Sequence, residues 1–186
     1  MGSKSETRNF NPFPGLRPFA PEESDLFFGR RVESREVMEK LLNNRFITVI
    51  GASGSGKSSL IYCGVLPKIR DLGQKESETW RIIIFRPGNN PFGNLGEAIA
   101  EYVTKTGLGK IELDPLLLDM HLNSDGITHA LKKYLIKGND KVLLIIDQFE
   151  ELFRYSTLSA GGAKGVHAAE FMSKIVNAVS QPEAKI

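Results

Sequence analysis

The sequence predicts an α/β fold built on a mainly parallel sheet, and three observations carry that expectation. Short apolar runs, "RFITVI", "WRIIIF" and "KVLLII", recur along the 186 residues. Longer segments with helical spacing of apolar residues lie between them. The runs are continuous rather than alternating, as in parallel strands covered by helices on both faces.

The elements follow in order. Residues 1–25 read as an extended arm, because Pro12, Pro14, Pro18 and Pro21 forbid a regular helix there. Phe10, Phe13, Leu16 and Phe19 are interleaved with those prolines, so the arm is expected to pack on the domain that spans 26–186. "RRVESREVMEKLLNN" reads as a helix with Val37, Met38, Leu41 and Leu42 on one side. "RFITVI" is the first expected strand. "GKSSLIYCGVLPKI" is a helix from Lys57, limited by Pro67. "WRIIIF" is the second strand, stopped by "RPGNNP". A helix over "PFGNLGEAIAEYVTKTG" has Pro91 at its start and Gly107 past its end. Asp114 and Pro115 start a short helix, and Ser124 or Asp125 caps another that runs to about Ile136. "KVLLII" is the third strand. "STLSAGGAKG" is a loop before a last helix from about His167 to Val179.

Composition narrows the function. The length suffices for one domain with a core. A net charge of +2 gives no nucleic-acid or membrane-surface signature. The lone Cys63 excludes an internal disulfide and suits a reducing compartment. The run Val142 to Ile146 is too short to span a bilayer. "MGSKSETRNF" lacks a signal-peptide core, and Glu6 stands where a myristoylation motif has Ser or Thr. The expected location is cytoplasmic. His121, His129 and His167 have no metal-ligand spacing, and Cys63 reads as a small core residue.

"GASGSGKSS" matches G-x-x-x-x-G-K-[ST] between an expected strand and an expected helix. Glycines at 51, 54 and 56 let the loop turn its backbone N–H groups inward on phosphates. Lys57 would carry charge to the β- and γ-phosphates, and Ser58 would ligate Mg²⁺. The candidate nucleotide set here is Gly51, Ala52, Ser53, Gly54, Ser55, Gly56, Lys57, Ser58 and Ser59. The fold class sharpens to a three-layer α/β/α P-loop NTPase.

The third strand delivers Asp147, the natural Mg²⁺ acid of such an enzyme. Gln148 follows it where many ATPases carry glutamate. If the chain turns helical at Asp147, then Asp147, Glu150 and Glu151 share one face, and Phe149, Leu152 and Phe153 the other. Three crowded acids repel unless a cation is present. Lys57, Asp147, Glu150 and Glu151 are therefore the catalytic candidates, and Ser58 and Asp147 the metal ligands. Spacing alone does not choose between Glu150 and Glu151. Arg86, just past the second strand, could approach phosphate or cap a strand end.

"NPFPGLRPFAPEESDLFFGR", "GASGSGKSSL" and "DQFEELF" together resemble the novel STAND NTPases of the first type, over nearly the whole chain from Asn11. The resemblance implies a "hhGRxxE" element in "FFGRRVE", placing Phe28, Gly29 and Arg30 with the nucleotide. It also implies an acidic pair three and four residues after the Walker B aspartate, the offsets of Glu150 and Glu151. Implied with it are ATP/ADP and Mg²⁺ as cofactors and a regulated, slow ATPase that self-associates on activation. Sensor repeats and an effector domain are implied as companions, in signalling or phage defence. The family places a sensor strand beyond "SQPEAKI", so the reading expects a truncated core lacking a central strand, prone to aggregate or to borrow one. Two alternatives stand beside it. One is a scaffold that binds nucleotide only to assemble. The other is a small P-loop kinase, disfavoured by the long segment before the loop and the lack of an arginine-rich lid.

Overall fold

The structure, a computed structural model, describes Gly15, residues 17–157 and residues 163–181. The chain divides into two compact units, Met1–Asp71 and Leu72–Ile186.

In the first unit a 3₁₀ turn, Pro21–Leu26, precedes α1, Arg31–Asn43. Pro21 opens that turn because its fixed φ suits a first helical position. The described part of the arm docks onto the segment after the loop. The Phe19 N–H donates to Ser59 Oγ at 3.1 Å, and the Cys63 thiol donates to the Ala20 carbonyl at 3.2 Å. Phe10, Phe13 and Leu16 lie outside the described residues. In α1, Ser34 and Met38 are buried and Val37 and Leu41 half-buried, but Leu42 is exposed. Ser34 faces Gly64 so closely that a Cβ at Gly64 would lie 2.2 Å from Ser34 Oγ.

Two expectations fail in this unit. Residues 46–50 form no ladder, and Phe46 and Ile50 are 56% and 88% exposed. A strand is defined by its neighbour's hydrogen bonds, and apolar character alone does not supply one. Pro67 also does not end its helix. Helical structure runs through α2 (Lys57–Ser59), a π-helical stretch (Leu60–Val65) and α3 (Leu66–Glu76). Proline clashes with the carbonyl four residues back in a regular helix. Here the wide turn shifts the pairing, and the Leu66 N–H bonds the Ile61 carbonyl just before Pro67.

The second unit holds β1 (Trp80–Phe85) and β2 (Lys141–Ile146), a parallel pair in register from Trp80↔Lys141 to Phe85↔Ile146. Between them run α4 (Pro91–Lys105), α5 (Leu113–His121) and α6 (Gly126–Tyr134). After them come α7 (Glu151–Thr157) and α8 (Ala163–Ser180). The chain is thus mixed α/β with a two-stranded parallel sheet among the described residues. α4 starts where Asn90 Oδ1 accepts the Gly93 N–H at 3.2 Å and Pro91 fills the first position. It stops before Gly107, at φ 68°. α8 begins four residues ahead of His167, and 158–162 of the expected loop lie outside the described residues. Ile83, Phe92, Ile99, Met120, Leu131 and Phe171 centre the core. Only one side of β1 is buried, through Arg81, Ile83 and Phe85, while Ile82 and Ile84 are half-buried.

Long-range polar pairs fix this unit. Arg81 Nε donates to Asp140 Oδ2 at 2.9 Å, with both residues buried. Burial alone would raise the Asp140 carboxyl. Hydrogen bonds from Arg81 and the Lys137 N–H outweigh it and hold the group below the usual carboxylate range. Buried Lys174 donates to the carbonyls of Met120 and Asn123 at 2.8 and 2.7 Å, satisfying the end of α5. Among the described residues no helix is long and apolar enough to cross a membrane.

Candidate functional site

The phosphate-loop candidates lie in the first unit. Residues 51–56 are exposed, and Lys57 and Ser58 are half-buried. Gly54 and Gly56 have φ of 74° and 83°, the left-handed region that side chains resist, which explains glycine at these two places. The Ser55 N–H closes a turn on the Ala52 carbonyl at 3.2 Å, and the Leu60 N–H bonds the Gly56 carbonyl at 2.8 Å. Lys57 Nζ folds back onto the carbonyls of Gly51 and Ala52, at 2.8 and 3.0 Å. Ser59 is buried and its hydroxyl is engaged by the arm at Phe19.

The "FFGR" turn is tied to the same unit through α1. Gly29 has φ 85°, and Phe28 is 77% exposed. Arg30 Nη1 meets Glu33 Oε1 at 3.0 Å. The Arg30 carbonyl accepts from both the N–H and the hydroxyl of Ser34, and Ser34 packs on Gly64. That chain of contacts links the turn to the helical segment that follows the loop. Burial, with a smaller effect from Glu23 and Glu22, pushes the Cys63 thiol up to about 11. It is an inert core thiol at neutral pH.

The acidic candidates lie in the second unit. Asp147 follows β2, and its N–H extends the ladder to the Phe85 carbonyl at 3.0 Å. Its Oδ2 accepts from Arg86 Nε and Nη2 at 3.3 and 3.2 Å. The continuous helix expected from Asp147 does not form. Gln148 has φ 57°, residues 147–150 are a turn, and α7 starts at Glu151. The left-handed residue breaks the continuous helix on which the shared-face argument depends. Glu151 Oε2 accepts the Gly88 N–H at 3.1 Å, while Glu150 is exposed. Leu152 is buried and Phe149 is partly buried against the core. Phe153 is half-exposed and meets the Phe149 ring edge-on.

Sequence reasoning did not find Gly88 and Asn94 as partners here. Asn94 Nδ2 donates to the carbonyls of Arg86 and Pro87, both at 3.0 Å. The readable signal was an arginine directly after one strand and an aspartate directly after the other.

The loop by itself has the features of a phosphate site. The loop has its left-handed glycines and a lysine whose partners are exchangeable carbonyls. Among the described residues no three His, Cys, Asp or Glu side chains converge to hold a metal alone.

A family model, Novel STAND NTPase 1, matches residues 12–186. The chain belongs to that family. No curated protein and no solved structure matched it.

Proposed function

We propose that the chain is the ATP-binding module of a STAND-type switch, with Mg²⁺-dependent, slow ATP hydrolysis. The observation that carries this is the loop Gly51–Ser59, formed with two left-handed glycines and Lys57 resting on its own carbonyls, in a chain of this family. Phosphate oxygens would draw Lys57 off those carbonyls and take the loop's N–H groups. Ser58 and Asp147 would hold the Mg²⁺, which supplies charge neutralisation of the phosphates when bound. Phe28, Gly29 and Arg30 would hold the nucleotide through the turn that Ser34 anchors. The three-layer core, self-association on activation, sensor and effector companions, a cytoplasmic place and a role in signalling or defence belong to this reading.

The two glutamates divide by geometry. Glu151 is engaged by the Gly88 N–H and would position the turn, which leaves exposed Glu150 to act on the attacking water. A second reading, a scaffold that binds nucleotide without turnover, is favoured by the same engagement of Asp147 and Glu151. Phosphate release from ATP by wild type, Glu150→Gln and Glu151→Gln separates them. The hydrolytic reading expects turnover that falls about 100-fold or more in Glu150→Gln, the scale of a lost general base, with ATP still bound. Absence of turnover in wild type that binds Mg²⁺ and ATP would favour the scaffold.

A further inference from the structure

We propose that Arg86 is an exchangeable counter-ion that occupies Asp147 until a divalent cation displaces it. This rests on the reading of Asp147 as the metal acid. The same two strands carry an arginine–aspartate pair at each end, and the pairs differ in kind. Arg81 and Asp140 sit at the start of the ladder, with side chains only 9% and 11% exposed and Nε at 2.9 Å. Arg86 and Asp147 follow the last paired residues, Phe85 and Ile146. There the arginine side chain is 53% exposed, and its Nε and Nη2 reach Asp147 Oδ2 at 3.3 and 3.2 Å. Strong charge-assisted pairs are shorter, about 2.7–2.9 Å. The first pair is a fixed fastener. The second is long and solvated.

The backbone beneath Arg86 does not depend on the pair. Asn94 holds the carbonyls of Arg86 and Pro87, and Glu151 holds the Gly88 N–H. The guanidinium can therefore leave Asp147 while the turn stays in place. Until it leaves, it covers a carboxylate that is only 13% exposed and balances its charge. Arg86 is thus a positioning residue that competes with the metal for one oxygen.

The test is Mn²⁺ binding followed by electron paramagnetic resonance of free Mn²⁺, on the full chain, with the metal alone and with a non-hydrolysable ATP analogue. Arg86→Gln should bind Mn²⁺ about two- to five-fold more tightly than wild type, the range of a solvated ion pair. Arg86→Lys, which keeps the charge, should fall between them, and Asp147→Asn should lose the site. In wild type, the Arg86 Nε–H resonance should shift as Mg²⁺ is added. Unchanged or weaker Mn²⁺ binding in Arg86→Gln would overturn the proposal, as would wild type that binds no Mn²⁺ in either titration. Analogue binding measured without metal reports separately on the nucleotide reading.

Discussion

Replacing Arg81 by Met isolates the buried ion pair at the start of the ladder. The mutation leaves Asp140 buried with its charge and without its main partner. The carboxylate keeps the Lys137 N–H, which does not neutralise it. Breaking one side of a buried pair costs about 3–5 kcal/mol. In a domain of this size that lowers the melting temperature by about 6–20 °C. Arg81→Met with Asp140→Asn removes both charges and keeps an acceptor for the Lys137 N–H. It should recover about 1–3 kcal/mol relative to the sum of the single changes. Urea unfolding of the four proteins, followed by circular dichroism, gives the cycle. A cost under about 1 kcal/mol for Arg81→Met, or strict additivity, would refute the assignment of this pair as buried and coupled.

Asp140 also predicts an acid limb. Its folded-state value is lowered, so its stabilisation is complete above the unfolded value of about 3.9 and is lost as pH falls through the folded one. Urea midpoints at pH 7, 4.5 and 3 should fall in wild type, and the penalty of Arg81→Met should shrink at pH 3, where protonation relieves the lone carboxylate. Gly64→Ala places a Cβ 2.2 Å from Ser34 Oγ and should destabilise the first unit by about 1–3 kcal/mol, read by hydrogen exchange in α1. Gln148→Val puts a β-branched residue at φ 57° and should cost about 1–2 kcal/mol, whereas Gln148→Gly should be neutral or stabilising, both read from thermal melts.

Elements whose causes are local were legible in the sequence. Pro91 starts α4, Gly107 follows its end, and β1 and β2 have the limits their apolar runs suggest. Gly54 and Gly56 mark the loop because only backbone conformation is at stake. The remainder depended on partners far along the chain. Residues 46–50 have strand-like composition, but a ladder requires a neighbour, and none is present among the described residues. Pro67 marks a stop only under regular helical geometry, and the π-helical turn before it changes that geometry. A shared face for the acids after Asp147 requires an unbroken helix, whereas Gln148 is left-handed and Glu151 accepts the Gly88 N–H. Arg81 and Asp140, far apart in sequence, show no mutual pattern until the parallel register brings them together.

The central claim is nucleotide binding at the loop, and isothermal titration of ATP into wild type and Lys57→Ala tests it most directly. With Mg²⁺ present, wild type should bind one ATP per chain. Lys57→Ala should bind about 10–100-fold more weakly, the worth of a charged hydrogen bond to phosphate. Equal affinity in the two folded proteins, or no heat of binding in wild type, would contradict the account.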